Sequence, residues 1–354
     1  FMIKKEAIDS IIEDYKPKDI KIATLCSHCA LQVFHGARSE GIKTIGICTP
    51  ERKKIYDAFA LAKPDEYILI DDPKNLLSSG IDDELIGKNA ILVPHGSLVE
   101  YGGEEIENFK APILGNRKSL VWERDRIKMF EWMREARIQT PRLLRPEEID
   151  RPCIVKFSGA KGGRGYIAVN SPEEFERKVN KKEGVIIQEY LAGVRFYPHF
   201  FYTPLSREGY RAGEGSVELI GIDRRYESNV DEIYRPLSTG MDIKPSFTVV
   251  GNEPVVVRES LLNEIFEIGK NVIEAAERLF GGIPGPFCVE TVCDENLQFY
   301  AFEISSRIVA GTNLYPEGSH YTVYNYPEWM SMGRRIAREI RIAIAKEKLH
   351  KIVY

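Results

Sequence analysis

The stretch CIVKFSGAKGGRGY, residues 153–166, joins a short run of strand-forming residues to a glycine-rich turn. Lys156 follows Ile154 and Val155, so we expect a rigid strand to direct its ammonium group into a site. Glycines in the turn tolerate the positive φ angles that point successive N–H groups at one anion, and two cationic residues add positive charge. The residues of the turn are Gly159, Lys161, Gly162, Gly163, Arg164 and Gly165. The stretch predicts a polyphosphate-binding hairpin, although a glycine-rich hairpin with a surface lysine has the same pattern.

The composition is that of an ordinary soluble globular protein. The 354 residues are 43% hydrophobic and 29% charged, with a formal net charge of −4. That charge argues against a nucleic-acid partner, because proteins that bind nucleic acid present basic surfaces. No apolar run approaches the ~20 residues that cross a bilayer, so we expect a cytoplasmic protein without a membrane partner. The length predicts two or three domains.

The six cysteines do not have the pattern of a disulfide framework in a chain of this length. Cys26 and Cys29 form a C-x-x-C pair, a spacing that also occurs in zinc sites and redox centres. A second pair of ligands is not found nearby in the sequence. We therefore favour loop packing over a metal site at this pair.

Residues 20–115 alternate strand-like runs with helical segments, which is typical of a parallel α/β unit. Strands are predicted over 20–25, 43–48, 67–70, 90–93 and 111–114, and helices over 29–40 and 73–86. Ligands of such sheets bind at the carboxyl ends of the strands. The loops there read CSHC (26–29), PHGS (94–97) and GNR (115–117). They either converge on a small polar substrate or serve only as turns, in which the same residue types are common.

Two further units are predicted after this Rossmann-like domain, which we expect to cover residues 1–117. Helical spacing over 118–136 opens the second unit, 118–193, which also contains the glycine-rich hairpin, a helix from Ser171 and a strand at 185–191. The third unit covers 194–354. Its strands are predicted near 194–203, 217–223, 247–250, 286–293 and 297–304, and its helices near 259–280 and 333–347. The predicted fold class is thus an α/β domain followed by α+β units.

Glu290 and Glu303 each lie in an apolar strand, FCVETVC and YAFEISSR, and a short Asp-Glu-Asn turn joins the two. The turn predicts that the strands are antiparallel neighbours. A carboxylate among apolar residues is costly unless it meets a cation or a proton, and hard divalent cations prefer oxygen ligands. The pair therefore predicts a site for the cation of a polyphosphate, unless both acids lie on a solvated sheet face. Arg307, four residues after Glu303, is placed to neutralise a phosphate or an oxyanion.

The order of these features resembles the ATP-grasp fold, in which two α+β subdomains hold ATP between them and activate a carboxylate as an acyl phosphate. More specific strings are similar to those of the archaeal formate-dependent 5-formaminoimidazole-4-carboxamide ribonucleotide synthetases. They are DRRYESNVD (223–231), GNEPVVVRESLL (251–262), FEISSRIVAGTN (302–313) and SMGRRIAREI (331–340), with PHGS and GNR upstream. The similarity extends from about residue 20 to residue 350. It implies that 118–193 is the small ATP-grasp subdomain and 194–354 the large one.

The resemblance implies a role for each candidate residue. Lys156 and the 159–166 loop would grip the ATP phosphates, and Glu290 and Glu303 would hold Mg²⁺ or Mn²⁺. The rest of ATP would contact Gln188, Glu189, Tyr190, Leu191 and Glu227. The aminoimidazole nucleotide would contact His28, Ser97 and Asn252, for which the simpler interpretations are a turn residue, a helix cap and a Gly-Asn turn.

The implied reaction is the ATP- and formate-dependent formylation of 5-aminoimidazole-4-carboxamide ribonucleotide through formyl phosphate, by a protein that self-associates. We expect His28 to orient the substrate and Arg307 to stabilise phosphate or a tetrahedral oxyanion. The loop Cys26-Ser27-His28-Cys29 departs from the family pattern, which usually has Gly or Ala before Ser-His and a Ser soon after it. Two alternatives therefore stay open: an ATP-grasp ligase for another carboxylate or amine, and a nucleotide-binding paralogue with little activity.

Overall fold

The computed structural model describes residues 2–77, 80–157, 166–180, 184–228, 233–241, 246 and 248–354, whose strands form three sheets. The first sheet is parallel, with strand order β3-β2-β1-β4, which confirms the predicted α/β unit. Its strands are β1 (Lys21–Leu25), β2 (Thr44–Cys48), β3 (Glu66–Leu69) and β4 (Ala90–Leu92). The accompanying helices are α1 (Lys5–Glu13), α2 (Ala30–Ser39), α3 (Pro50–Asp57), α4 (Ile81–Gly87) and α5 (Gly96–Gly102).

The central strands of this sheet read as continuous apolar runs because both of their faces are covered. Ile22 packs into a core with α1, α2 and the C-terminal segment, whereas Ala23 and Leu25 pack into a second core with β2, β4 and α5. The carboxyl end of β1 opens into the loop that carries His28, and the carboxyl end of β4 leads to α5, whose first turn carries Ser97. The parallel sheet thus presents both residues at one edge.

The second sheet is antiparallel, with order β5-β8-β6-β7, and carries Lys156. Its strands are β5 (Leu143–Leu144), β6 (Cys153–Phe157), β7 (Tyr166–Val169) and β8 (Val185–Glu189). Helix α8 (Pro172–Lys178) begins where predicted, because the Ser171 side chain accepts a hydrogen bond from the Glu174 amide at 3.3 Å. The buried side chains of Val155, Phe175 and Ile187 form the core between this helix and the sheet.

The third sheet is antiparallel, with the order β10-β11-β9-β13-β14, and β12 pairs with β11. Its strands are β9 (Val194–Thr203), β10 (Tyr210–Ala212), β11 (Gly215–Glu227), β12 (Val249–Pro254), β13 (Gly285–Cys293) and β14 (Phe299–Ser305). Helix α9 (Tyr234–Ser238) precedes β12. Helix α10 (Leu262–Phe280) buries an apolar face on the sheet through Ile265, Val272 and Ile273.

The last helix, α11 (Met332–Ala345), packs on α2 of the parallel sheet. The two backbones approach so closely that a Cβ on Gly36 would lie 2.1 Å from the Arg334 backbone nitrogen. Arg334 and Arg338 also donate to the buried Glu40 carboxylate, each at 2.7 Å. The C-terminal helix therefore shares a core with the N-terminal sheet, and this contact joins the first and last parts of the chain.

The structure corrects the predicted helix over 118–136. It consists of two helices, α6 (Arg117–Arg124) and α7 (Arg126–Glu135), which meet at Asp125. Asp125 has extended backbone angles, and its side chain accepts hydrogen bonds from Ile127 N at 2.9 Å and Lys128 N at 3.2 Å. An aspartate that caps a new helix in this way ends the preceding one. Trp132 of α7 is fully buried against α10.

Two further segments of the N-terminal unit differ from prediction. The predicted strand over 111–114 makes only isolated bridges, from Ile113 to Leu92 and from Leu114 to Val353. The predicted helix over 73–86 begins as a 3₁₀ turn at Pro73–Leu77 and continues as α4 after Gly80, whose φ of 104° favours glycine. The proposed domain limits at 117 and 193 stay predictions. Within the described ranges, no helix is long and apolar enough to span a membrane.

Candidate active site

A cavity of about 660 Å³ receives side chains from all three sheets. The N-terminal loops contribute His28, Gly96 and Ser97. The second sheet contributes Lys156, Gln188, Glu189, Tyr190 and Leu191, and the third contributes Glu227, Glu290, Glu303 and the segment with Arg307. The structure thus brings together nearly all of the candidate residues that it describes.

Lys156 projects from β6 beside the neighbouring strand β8. Its ammonium group donates to the side-chain Oε1 of Gln188 at 2.8 Å and lies 5.6 Å from the centre of the Phe302 ring. Burial lowers the pKa of Lys156 to about 8, against the raising effect of the Glu303 charge. Burial disfavours the charged form of Lys156 more than the charges of Glu303 and Glu290 favour it, so a phosphate bound beside the amine would restore that form.

Glu290 on β13 and Glu303 on β14 are direct cross-strand neighbours, as the turn between the strands predicts. Burial raises the pKa of Glu303 to about 7, and the charge of Glu290 adds to this effect. Glu290 is already compensated by Arg225, whose Nη2 donates to its Oε1 at 2.8 Å. The pair therefore places one compensated and one poorly compensated carboxylate at the same wall of the cavity.

These two carboxylates fit a divalent cation that binds together with phosphates. In the described part of the chain, no group of three His, Cys, Asp or Glu side chains is placed to hold a metal ion. Mg²⁺ is usually bound by one or two carboxylates plus substrate phosphates rather than by an all-protein cage. Two adjacent glutamates opposite a lysine therefore match the donor set of a nucleotide-bound cation. At Glu303, burial and the charge of Glu290 outweigh the positive charges of Arg126, Lys156 and Arg225, which keeps the pKa of this carboxyl raised.

Arg225 is a site residue that sequence reasoning missed. Its guanidinium lies 3.7 Å from the centre of the Tyr197 ring and pairs with Glu290. Burial by itself would lower the pKa of Arg225, but the charges of Glu290 and Tyr197 raise it above its usual range. Two sequence signals could have found it: Arg225 belongs to the family-like string DRRYESNVD (223–231), and it lies two residues before Glu227 on a strand with alternating faces.

Arg307 lines the cavity and is held by a second residue that the sequence did not reveal, Glu123 on α6. The Glu123 Oε1 accepts from Arg307 Nε at 3.0 Å and Nη2 at 2.8 Å. The Oε2 accepts from the Ser306 amide at 2.8 Å. These two hydrogen bonds fix the plane of the Arg307 guanidinium and hold this group at the cavity wall.

His28 and Ser97 both lie beyond the carboxyl ends of the strands of the parallel sheet. Ser97 Oγ is 3.1 Å from Ser27 Oγ, and Ser97 and His28 both line the cavity. The simpler interpretation of Ser97 as a helix cap does not hold, because the residue that caps α5 is His95, whose side chain accepts from the Ser97 amide. Burial lowers the pKa of His28 to about 2, and the charges of His95, Arg307 and Arg225 add to this, so the imidazole is neutral near pH 7.

The remaining candidates for ATP contacts lie along β8 and at the end of β11. Glu189 is largely buried, with its carboxylate accepting from the Arg142 amide at 2.8 Å and from Arg151 Nη1 at 3.2 Å. Tyr190 is 47% exposed. Glu227 forms an ion pair with Arg195, which also lines the cavity. An adenine edge at β8 would thus meet backbone and side-chain groups of a fixed strand.

Two groups of candidates are not placed at this cavity. Asn252 lies on β12 with extended backbone rather than in a left-handed turn, and it is not among the residues that line the cavity. Its amide donates to the buried Asp223 carboxylate at 2.6 Å, which also pairs with His199 at 2.6 Å. Gly159, Lys161, Gly162, Gly163, Arg164 and Gly165 lie outside the described residues.

The cysteine pair of the CSHC loop packs inside the N-terminal unit. Cys26 and Cys29 are buried, and neither lines the cavity. The Cys29 Sγ lies 2.9 Å from the Nδ1 of His28. Burial raises the pKa of both thiols far above their ordinary range, which disfavours the thiolate that metal binding or redox chemistry needs.

The three-sheet arrangement and the lysine–glutamate cavity define an ATP-grasp protein. Solved structures with this fold include the N5-carboxyaminoimidazole synthetase from Staphylococcus aureus complexed with ADP, which is 15% identical over 91% of this chain and 77% of that chain, with a TM-score of 0.60. A more similar structure is the IMP biosynthesis protein PurP from Thermococcus kodakaraensis, which is 29% identical over 94% of this chain and 100% of that chain, with a TM-score of 0.74. At 15% identity, the similarity to the Staphylococcus aureus structure supports the fold and nothing about function.

Family and sequence comparisons identify the group within that class. Residues 174–354 match the family described as "Domain of unknown function (DUF1297)", and residues 22–144 match "Protein of unknown function (DUF1246)". A relative from Korarchaeum cryptofilum is 48% identical over 100% of both chains, and one from Methanococcoides burtonii is 47% identical over 99% of this chain and 100% of its own. Both are named 5-formaminoimidazole-4-carboxamide-1-(beta)-D-ribofuranosyl 5'-monophosphate synthetase. The chain belongs to this synthetase family.

Proposed function

We propose that the protein is an ATP-dependent carbon–nitrogen ligase that joins formate to the amine of 5-aminoimidazole-4-carboxamide ribonucleotide in purine biosynthesis. The products are the 5-formamido nucleotide, ADP and phosphate. The observation that carries this proposal is the convergence of Lys156, Glu290 and Glu303 with His28 in one cavity. Relatives along the full length of the chain bear the name of the synthetase for this product.

The chemistry requires activation of formate before the amine can attack. Formate is an anion with a poor leaving group, so an oxygen of formate first attacks the γ-phosphorus of ATP, ADP leaves, and formyl phosphate forms. A divalent cation held by Glu290 and Glu303 would supply charge neutralisation of the phosphates. Lys156 binds the same phosphates from β6, and its position opposite the glutamates orients the γ-phosphoryl group.

The second step is attack of the substrate amine on the formyl carbon. The amine nitrogen forms the new bond, the tetrahedral oxyanion collapses, and phosphate leaves with the C–O bond electrons while the amine proton passes to phosphate or solvent. An amine on an imidazole is neutral at pH 7, so positioning matters more than a strong base. The neutral His28 ring orients the substrate, and Arg307, fixed by Glu123, stabilises the oxyanion or the leaving phosphate.

We infer the contacts of ATP and of the substrate nucleotide from the same geometry. Gln188, Glu189, Tyr190, Leu191 and Glu227 would bind the adenosine part, and Ser97 would bind the substrate nucleotide with His28. A contact with Asn252 requires that the substrate extend beyond the described cavity towards β12. The 159–166 loop would bind the ATP phosphates together with Lys156, as the family resemblance implies.

The alternative of a ligase for another carboxylate or amine rested on the CSHC loop. Neither Cys26 nor Cys29 lines the cavity, and the Cys29 thiol reaches it only through the His28 ring, whose Nδ1 lies 2.9 Å from the Cys29 Sγ, so neither thiol would contact a substrate bound there. We therefore retain formate and the aminoimidazole nucleotide as substrates. Either Mg²⁺ or Mn²⁺ suits the two glutamates, and we further propose a cytoplasmic, self-associating protein with small-molecule substrates and no nucleic-acid or membrane partner.

An assay of ADP release tests this proposal directly. With ATP and a divalent cation present, we expect ADP release only when formate and the aminoimidazole nucleotide are both added, and loss of this activity in Lys156→Met. Lys178→Met, an exposed lysine on α8 that pairs with Glu174, is the matched control and should retain activity. ADP release without formate would favour another carboxylate. ATP binding without any turnover would favour the non-catalytic paralogue.

A further inference from the structure

The imidazole rings of His28 and His95 lie against each other at the cavity wall. Their centres are 5.3 Å apart and their planes differ by 3°. His28 lines the cavity, whereas His95 does not and is 0% exposed. His95 therefore has no direct access to a ligand, and its contact with the cavity runs through the face of the His28 ring.

Two backbone hydrogen bonds hold the His95 ring in place. Its Nε2 is 2.9 Å from the Leu25 carbonyl oxygen, and its Nδ1 is 3.2 Å from the Ser97 amide nitrogen. A carbonyl can only accept and an amide N–H can only donate, so the proton of this ring lies on Nε2. The ring cannot rotate without breaking both bonds, and it links the ends of β1 and β4.

Gly96 provides the space that the His28 ring occupies. A Cβ added at position 96 would lie 2.8 Å from the His28 Nε2 and 3.1 Å from its Cδ2. Any side chain at this position would push the ring away from its present place. The sequence His95-Gly96 thus supplies both a flat surface for His28 and the room beside it.

The backbone of His28 is held from the other end of the chain. Its φ of 57° lies in the left-handed region, which is uncommon for a residue with a side chain and persists only where surrounding contacts enforce it. Asn313 Nδ2 donates to the His28 carbonyl oxygen at 3.0 Å. This contact fixes the backbone of His28. The direction of its ring is set by the Cys29 Sγ, 2.9 Å from its Nδ1, together with His95 and Gly96.

We propose that His95 is a positioning residue for the reaction: its buried, doubly hydrogen-bonded ring stacks on His28 and, with Gly96, directs the His28 imidazole towards the substrate nucleotide. The part of this proposal that concerns catalysis rests on the proposed function. The ring placement itself does not. His95 acts through His28 and makes no contact with substrate of its own.

His95→Gln separates stacking from hydrogen bonding. A glutamine amide can still donate to the Leu25 carbonyl and accept from the Ser97 amide, but it offers no ring face to His28. We expect kcat/KM for the aminoimidazole nucleotide to fall about tenfold, mainly through KM, while the KM for ATP changes less than twofold. Gly96→Ala, which leaves His95 untouched, should give the same split because it displaces the same ring.

A double-mutant cycle with His28→Ala distinguishes positioning from general structural support. If His95 acts through His28, His95→Gln should have less than a twofold further effect in the His28→Ala background. A full tenfold loss in that background would overturn the proposal. So would an equal loss of affinity for ATP, which would indicate damage to the fold.

A crystal structure of the His95→Gln variant tests the ring placement independently of activity. We expect the His28 ring to be rotated or displaced while the Leu25 and Ser97 hydrogen bonds remain. An unmoved His28 ring would refute the proposal even if the variant lost activity. If the unmodified protein failed to use formate and the nucleotide, the proposed function would be wrong. The structure of the His95→Gln variant would still show whether His95 holds the His28 ring in place.

Discussion

Neutralising either glutamate of the cavity should abolish ADP formation, yet the two substitutions should change the stability of the ligand-free protein in opposite directions. Glu303→Gln removes a carboxyl whose pKa burial raises from 4.5 to about 7. Glu290→Gln instead removes the partner of Arg225, which pairs with it at 2.8 Å and is largely buried. The protein around Glu303 thus destabilises its ionised form, whereas the ionised form of Glu290 is stabilised by Arg225.

The pH dependence for Glu303 follows from the direction of the shift. Between pH 4.5 and pH 7 the folded protein binds more protons at this carboxyl than the unfolded chain does, so the free energy of unfolding falls as the pH rises through that window. At about 1.4 kcal/mol per pKa unit, the whole shift corresponds to roughly 3 kcal/mol. Solvent at the mouth of the cavity reduces this, and we expect Glu303→Gln to stabilise the ligand-free protein by about 1–2 kcal/mol at pH 8.

Glu290→Gln should have the opposite effect because it leaves the buried Arg225 without a counter-charge. Breaking one side of a buried ion pair costs about 3 kcal/mol. At about 2 °C per kcal/mol for a protein of this size, Tm should fall by about 6 °C for Glu290→Gln and rise by about 2–4 °C for Glu303→Gln at pH 8.

Differential scanning fluorimetry without nucleotide or metal measures both shifts, and the same samples serve for the ADP assay. At pH 5.5 the gain for Glu303→Gln should fall to less than half of its pH 8 value, because the native carboxyl is then protonated in the unmodified protein as well. A destabilised Glu303→Gln variant, or a gain that does not depend on pH, would refute this account of the cavity.

Two further substitutions test the oxyanion site and the packing of the chain ends. Arg307→Ala should lower kcat/KM at least tenfold, and it should also lower Tm by several degrees because it leaves the buried Glu123 carboxylate without its counter-charge. Glu123→Gln should lower kcat/KM less, because the Arg307 guanidinium is retained but no longer fixed. An Arg307→Ala loss of kcat/KM within about twofold would exclude the proposed role. Gly36→Ala should lower Tm by several degrees, because its Cβ would lie 2.1 Å from the Arg334 backbone nitrogen. Gly87→Ala is the control: its Cβ would meet nothing within 4 Å, so Tm should not change.

The sequence predicted the features that depend on neighbours along the chain. The strand with Lys156 is bounded by strand formers, and the turn after Glu290 is short enough to impose an antiparallel partner, so Glu290 and Glu303 were expected to be neighbours. The helix from Ser171 follows from a local capping pattern. Each of these patterns lies within about 15 residues.

The features that the sequence did not reveal depend on distant partners. Glu123 meets Arg307 across 184 positions, and Arg225 meets Glu290 across 65. Neither pairing leaves a local signal, because the two partners of each pair lie on elements that are far apart in the sequence. The break at Asp125 was missed for a different reason: the apolar spacing continues across it, while a single capping side chain decides where one helix ends.

We propose that a triphosphate and its cation bind between Lys156 and the Glu290–Glu303 pair. Anomalous diffraction from crystals soaked with Mn²⁺ and a non-hydrolysable ATP analogue would locate the cation. We predict one anomalous peak about 2.2 Å from oxygens of both carboxylates, next to phosphates that Lys156 contacts. A nucleotide bound elsewhere, or manganese that contacts neither glutamate, would contradict the account.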